Sequence, residues 1–313
     1  MHQDAEGAAL APESLSPPDL VLAVVGPTAS GKTDLALALA RRLGGEVLSA
    51  DMGQLYRRLD AGTAKPPTGS VHLVDVLDPG QLSDAGTYAR LAEPVLEDIA
   101  ARGKLPIVAG GTGFYVQALL EGLPTLPSRD PVLRAALEER GRREGVSALY
   151  AELAKRDPEG ARRVDGRNMP RVVRALELLT LTGAPLPPRP RRGTRRTRWR
   201  AVYVALERPR AELRARIKAR AERMFPAMIE EVRRLVPASY RGDEPGFRCL
   251  GYSQALACAR GELDQGAGLA AMVNATNAYA RRQMTWFRRQ VIASWLAPET
   301  AEAAAADIVH GAA

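Results

Sequence analysis

Leu20-Val21-Leu22-Ala23-Val24-Val25-Gly26-Pro27-Thr28-Ala29-Ser30-Gly31-Lys32-Thr33 is the stretch on which the fold turns. Six apolar residues, half of them β-branched, read as a short buried strand. After Thr33, leucines at 35, 39 and 43 fall at helical spacing. Between strand and helix lies G-x-x-x-x-G-K-T, the P-loop pattern, in the context its mechanism needs. The glycines let backbone N–H groups turn toward phosphate oxygens, and the helix N-terminus adds partial positive charge. Lys32 adds a full positive charge, and the Thr33 hydroxyl is placed to ligate Mg²⁺. The loop on its own says only that phosphate binds.

Outward from this stretch, residues 46–50, 71–77 and 105–109 read as further short apolar strands, with helical stretches such as 88–102 between them. Alternation of this kind predicts an α/β fold with a doubly wound parallel sheet and a ligand site outside the carboxyl ends of its strands. Asp51 stands at such an end. It is placed to accept a proton from a nucleophile, to hold Mg²⁺ through water, or to cap the next turn, and all three readings are open on the residues alone. Gly110-Gly111-Thr112-Gly113 puts a second glycine-rich turn after the 105–109 strand, where many P-loop NTPases carry an acid. That counts against an ordinary ATP hydrolase, with Asp75 as an alternative acid.

The character changes over residues 124–199, where helical stretches at 131–144 and 171–182 are studded with arginine. Residues 185–200 mix prolines with seven arginines and read as a poorly ordered basic connection. A strand at 201–206 and a long helix from 209 to about 235 follow, and the rest reads as mainly helical. The expected division is a disordered leader over 1–18, a core over 19–123 and 200–299, a basic helical insertion over 124–199 and a flexible tail over 300–313.

With 313 residues, 46% of them hydrophobic, the chain can bury a sizeable core. Its formal net charge of +8, carried largely by arginine, suits a polyanionic partner or simple solubility. Two cysteines, Cys249 and Cys258, can build neither a disulfide framework nor a four-ligand zinc site. The first twenty residues do not resemble a signal peptide, and no apolar run approaches the ~20 residues that span a bilayer. A cytoplasmic protein with no membrane association is expected. Near the end, Arg281-Arg282-Gln283-Met284-Thr285-Trp286-Phe287-Arg288-Arg289 interleaves arginine with aromatics. Such a helix can grip single-stranded RNA, or it can bury its rings and leave arginine in water.

Taken together, these segments resemble the tRNA dimethylallyltransferases. The resemblance is carried by residues 26–33, by Ser49-Ala50-Asp51-Met52-Gly53-Gln54-Leu55-Tyr56-Arg57, by Gly62-Thr63-Ala64-Lys65-Pro66 and by Gly110-Gly111-Thr112-Gly113-Phe114-Tyr115. Arg171-Val172-Val173-Arg174-Ala175-Leu176-Glu177, Gly251-Tyr252 and the segment at Arg282 extend it, so that it spans about residues 21–289.

The resemblance implies a P-loop kinase-like core that holds dimethylallyl diphosphate with Mg²⁺, while the insertion closes on the anticodon stem-loop of tRNA. The implied reaction is dimethylallyl transfer to the exocyclic amine of the adenosine 3′ of the anticodon. Gly26, Pro27, Thr28, Ala29, Ser30, Gly31, Lys32 and Thr33 would cradle the diphosphate, with Arg220 a further contact. Asp51 would be the general base, with Lys32 and Thr33 stabilising the leaving group. The implied tRNA-binding positions are Asp51, Met52, Gly53, Gln54, Thr112, Arg134, Pro170, Arg171, Arg174, Arg248, Cys249, Gly251, Tyr252, Arg281, Arg282, Gln283, Thr285, Trp286 and Arg288. Met52, Pro170 and Ser253 depart from the usual serine, glutamine and basic residue, which bears on individual RNA contacts and not on the phosphate cradle. A monomer with no obligate protein partner is expected. The rival reading is a P-loop small-molecule or nucleotide kinase, which would need no arginine–aromatic helix.

Overall fold

Leu20–Val25 (β1) is buried along its whole length, and its side chains divide by parity. Leu20, Leu22 and Val24 join one apolar cluster, and Val21, Ala23 and Val25 join another. Successive strand side chains point to opposite faces, so a strand apolar at every position needs cover on both sides. The computed structural model describes residues 19–122, 126–188 and 198–313. The leader expected over 1–18 and most of the basic connection lie outside the described residues.

From the P-loop the chain runs through α1 (Lys32–Leu43), β2 (Gly45–Ser49), α2 (Met52–Leu55), α3 (Ala85–Ala101), β3 (Leu105–Gly110) and α4 (Gly113–Leu120). The helical stretch that follows holds α5 (Pro131–Glu144), α6 (Val146–Arg156), α7 (Pro158–Ala161) and α8 (Met169–Thr182). The chain ends with β4 (Arg200–Leu206), α9 (Arg210–Ser239), α10 (Tyr252–Ala259), α11 (Gln265–Gln290), β5 (Ser294–Leu296) and α12 (Ala301–Ala312). Two compact units result, one of residues 1–123 and 196–313, the other Pro124–Arg195.

In the first unit the sheet order is β2-β3-β1-β4-β5, with every neighbouring pair parallel. Val25 is level with Gly110 on one side and Ala205 on the other, so the loops after β1 and β3 leave the same edge. Leu35, Ala36 and Leu39 of α1 and Ala301, Ala305 and Val309 of α12 cover one face; Tyr88, Leu96, Phe225, Tyr252 and Phe287 contribute to the other. The second unit packs α5, α6 and α8 around Leu137, Leu149, Leu153, Val172 and Leu176. Asp130, Asp157 and Asn168 each accept a first-turn N–H ahead of a proline at the start of a helix, a pairing that satisfies orphan donors and presets φ.

Three expectations are corrected. Residues 71–77 form no strand: only the isolated bridges Leu48–His72 and Tyr56–Leu77 occur, because Leu73 (φ 61°) and Asp75 (φ 59°) adopt left-handed backbone that breaks an extended ladder. The tail expected over 300–313 is instead α12, whose small side chains dock against α1 and β4. Within the region read as helical, Ser294–Leu296 pairs in parallel with β4.

Candidate active site

The backbone of the phosphate loop is tightly constrained. Gly26 sits at φ 140°, where a Cβ would come 2.9 Å from the Leu206 carbonyl oxygen, and Gly31 caps α1 at φ 100°. Both positions require glycine. Arg216 donates from Nε to the Ala29 carbonyl (2.9 Å), and Arg208 does the same to the Ser30 carbonyl (2.8 Å). Across a trans peptide the C=O of one residue and the N–H of the next point opposite ways, so Arg208 fixes the direction of the Gly31 N–H. The Thr28 N–H donates to Gln283 Oε1 (2.8 Å), and Lys32 Nζ donates to the Pro27 carbonyl (2.7 Å). Burial lowers the Lys32 ammonium to about 8, the Asp51 charge opposing the drop and Arg220 adding to it.

Asp51 follows β2 and caps α2, its Oδ1 accepting the Gly53 N–H at 3.0 Å. Capping therefore uses one oxygen, and Oδ2 has no hydrogen-bond partner among the described residues. The carboxylate's field reaches Lys32, Arg220, Cys249 and Tyr279. Burial first, and Asp51 second, push the Cys249 thiol and the Tyr279 phenol each up to about 12, so both stay protonated at neutral pH. Arg220 is half-buried, its Nε donates to the Met224 sulfur (3.3 Å), and its charge is disfavoured chiefly by burial. It makes no ion pair among the described residues.

Asp51, Arg220, Cys249 and Tyr279 line one cavity of about 250 Å³. Thr28, Ala29, Asp51, Thr112, Arg220, Arg248, Tyr279 and Arg282 supply its polar wall; Met52, Ile217, Ala221, Met224, Leu250 and Met272 supply the apolar one. The glycine turn after β3 closes one side. Gly110 lies against β2's end, where a Cβ would be 2.2 Å from the Ala50 carbonyl oxygen. Thr112 then donates its N–H to Ala50 O (3.1 Å) and accepts the Met52 N–H on its hydroxyl (3.2 Å). The turn is thus a packing device and part of the cavity wall at once.

The expected site residues separate into those brought to this cavity and those elsewhere. Thr28 and Ala29 of the phosphate loop, Asp51, Met52, Gly53, Thr112, Arg220, Arg248, Cys249 and Arg282 meet there, whereas Lys32 and Thr33 are not among its lining residues. Arg281, Arg282, Thr285 and Arg288 are exposed on α11, with Trp286 half-buried and Phe287 fully buried, so both readings of this segment hold in part. Arg288 pairs with Glu207. Gln54, Tyr252 and Gln283, expected as tRNA contacts, are buried at 7%, 0% and 5% exposure and serve as internal struts in this structure. Gln54 accepts from Ser49 Oγ (2.7 Å) and donates to the Ala64 carbonyl (3.2 Å). Tyr252 donates to Glu231 (2.6 Å) and accepts the Gly62 N–H (3.2 Å). Gln283 donates to the Gly111 carbonyl (2.8 Å) while holding Thr28, so it ties the phosphate loop to the second glycine turn. Gly251 caps α10 at φ 91°, closely packed by Met228 and Met272.

Asp75, the alternative acid, is paired with Lys65 (2.5 Å) and is not among the residues that line the cavity. In the helical unit, Arg134 and Arg174 both bond the fully buried Glu177, whose other oxygen accepts the Asp130 N–H; Pro170 and Arg171 are exposed at the start of α8. Sequence reasoning missed Arg208 and Arg216 on the phosphate loop and Met272, Thr276 and Tyr279 on the cavity wall. Arg216 and Arg220 lie four residues apart on α9, a one-face spacing that could have singled out Arg216, while Arg208 precedes the helix.

The IPP transferase family profile matches residues 54–290, and the isopentenyl transferase profile matches 20–78. The chain is 47% identical to a tRNA dimethylallyltransferase of Anaeromyxobacter dehalogenans over 89% of its length and 93% of that protein's. Against the tRNA dimethylallyltransferase of Thermomicrobium roseum it is 42% identical, over 88% and 85%. Among solved structures, the tRNA isopentenylpyrophosphate transferase of Bacillus halodurans matches with a TM-score of 0.68 at 31% identity, covering 94% of this chain and 97% of that one. A eukaryotic dimethylallyltransferase acting on tRNA shares the fold, with a TM-score of 0.74 at 20% identity over 93% and 78%.

Proposed function

The chain belongs to the IPP transferase family and transfers a dimethylallyl group to tRNA, and from that premise we propose that the donor is dimethylallyl diphosphate and the acceptor the exocyclic amine of the adenosine 3′ of the anticodon. One observation carries this: a single cavity joins a phosphate loop and an ion-pair-free arginine to an apolar wall, with a carboxylate between them. The diphosphate lies against the loop's N–H groups, Lys32 and Arg220, and the five-carbon chain lies against the methionines and Ile217. The adenine nitrogen attacks the allylic carbon as that carbon's bond to diphosphate oxygen breaks. Asp51 Oδ2 takes the proton the nitrogen loses, and Lys32 meets the negative charge that grows on the departing diphosphate. Exposed arginines on α11 meet RNA phosphates.

Mg²⁺ fits the donor set as a cation shared with phosphate. Among the described residues no group of three His, Cys, Asp or Glu side chains could hold a metal alone. Thr33 and Asp51 offer oxygen donors, and Mg²⁺ characteristically takes one or two such ligands and completes its shell with water and substrate phosphate. When bound, it supplies charge neutralisation of the diphosphate. No described helix is long and apolar enough to cross a membrane. We place the reaction in the cytoplasm, catalysed by a monomer without an obligate protein partner.

The test is incubation of the protein with Mg²⁺ and unmodified tRNA, with dimethylallyl diphosphate or ATP in parallel tubes, followed by nucleoside mass analysis. Prenylated adenosine appearing only with the prenyl donor supports the reading. ATP turnover with unmodified adenosine in both tubes would overturn it in favour of the kinase alternative, which the family match does not favour.

A further inference from the structure

The chain has four phenylalanines, and the structure treats one of them differently. Phe225, Phe247 and Phe287 are 0–2% exposed, whereas Phe114 is 56% exposed. Phe114 belongs to α4, whose Tyr115, Val116, Ala118, Leu119 and Leu120 are all buried, so it is the apolar residue that this helix turns to water. A single exposed apolar residue is ordinary, so the exposure of Phe114 gains meaning only from what braces and surrounds it. Its ring is not loose. Trp286 meets it edge-on, with centroids 5.6 Å apart and planes 62° apart, and a Cβ on Gly113 would lie 2.3 Å from the Trp286 ring. Glycine at 113 therefore admits the indole that braces Phe114, and the edge-on contact leaves phenyl surface open.

The surroundings identify what covers that surface. Phe114 lies two residues after Thr112, and Trp286 four residues after Arg282, both of which line the cavity. The α11 sequence from Gln265 to Gln290 contains no Asp or Glu. Its Arg281, Arg282 and Arg289 are exposed and make no ion pair among the described residues. A braced aromatic beside uncompensated arginines, next to a cavity that admits one base, is the combination by which proteins hold single-stranded RNA: guanidinium groups follow the phosphates while a ring stacks on a base.

We propose that Phe114 is a stacking platform for an unpaired nucleobase flanking the adenosine that enters the cavity. The proposal rests on the tRNA reading above and adds a subsite to it. Stacking of this kind tolerates any base, so Phe114 secures the loop's conformation more than its sequence.

The experiment measures binding of an anticodon stem-loop RNA to wild-type protein and to Phe114→Ala, Phe114→Leu and Phe114→Trp, with nucleoside mass analysis of the wild-type reaction alongside. RNA affinity should fall by between about 5-fold and 100-fold in the alanine variant. Leucine should not restore it, and tryptophan should. Replacing each nucleotide flanking the target adenosine by an abasic site, one at a time, should weaken wild-type binding at one position where Phe114→Ala adds no further loss. Equal affinity of wild type and the alanine variant overturns the proposal, as does full rescue by leucine, which would make the contact merely apolar. Failure of the wild-type reaction itself would instead count against the proposed function, so the two results are told apart.

Discussion

Gln283 and Gly111 should behave as one unit under mutation, and the coupling can be worked out from the contacts. Gln283→Ala removes the acceptor of the Thr28 N–H and the donor to the Gly111 carbonyl, both at 2.8 Å. Leaving a donor and a buried acceptor unpaired costs about 1–3 kcal/mol each, so about 2–6 kcal/mol in all. For a unit of this size that is a drop in Tm of about 4 to 24 °C. Gly111→Ala puts a Cβ 2.2 Å from Gln283 Nε2, which must move and break the same two bonds. The double variant should then be little less stable than Gln283→Ala, so that the coupling is about as large as the Gly111→Ala loss itself, about 2–6 kcal/mol. In kinetics, Gln283→Ala should raise KM for the prenyl donor, because the Thr28 peptide loses its anchor, while RNA affinity stays close to wild type. Thermal unfolding and steady-state kinetics of the three variants supply the data. Additive losses in Tm would refute the shared-contact argument, and a loss of RNA affinity with unchanged donor KM would return Gln283 to the RNA surface.

Lys32, held near 8 in the free protein, should make donor kcat/KM decline as pH rises through about 8, since the ammonium and not the amine meets the diphosphate; a profile flat to pH 10 would contradict this. Stability runs the other way in that window, because between about 8 and the ordinary lysine value the unfolded chain binds the proton that the folded one has released, so this group alone makes stability rise with pH. Tyr252→Phe should lower stability by about 2–6 kcal/mol, a drop in Tm of about 4 to 24 °C, by unpairing Gly62 N–H and one oxygen of Glu231, and should leave RNA affinity unchanged as judged by filter binding. Arg220→Gln should raise donor KM by at least ~10-fold with Tm unchanged or slightly raised, because a half-buried charge disfavoured by burial and without an ion pair among the described residues does not support the fold; calorimetric titration with the donor reads the binding loss directly.

What was legible in the sequence was local. The phosphate loop, β1 and the strand at 105–110 are set by short-range hydrophobic pattern and glycine spacing, and Asp51 follows from standing at a strand end. Residues 71–77 have strand composition, yet two left-handed residues, invisible in composition, prevent the ladder. β5 is three residues long and exists because β4 offers an edge, and the alanine-rich end becomes a helix because α1 and β4 offer it a surface to pack on. The struts were hidden for a related reason. Gln283, Tyr252 and Gln54 sit in segments that resemble RNA-contacting ones, while their partners lie up to 255 residues away in sequence. Arg208 and Arg216 were lost among the many arginines, although the spacing of Arg216 from Arg220 carries a signal.

The central claim is that the Asp51 carboxylate, with one oxygen committed to the cap of α2 and the other free at the cavity, takes the adenine proton. Single-turnover transfer by Asp51→Asn tests it most directly, with donor and RNA affinities measured on the same samples. Asparagine can keep the cap through its amide oxygen but cannot act as a base at neutral pH. The account predicts a transfer rate reduced by at least ~10² with both affinities within a few-fold of wild type. Transfer at the wild-type rate would contradict it and move the proton acceptor elsewhere in the cavity.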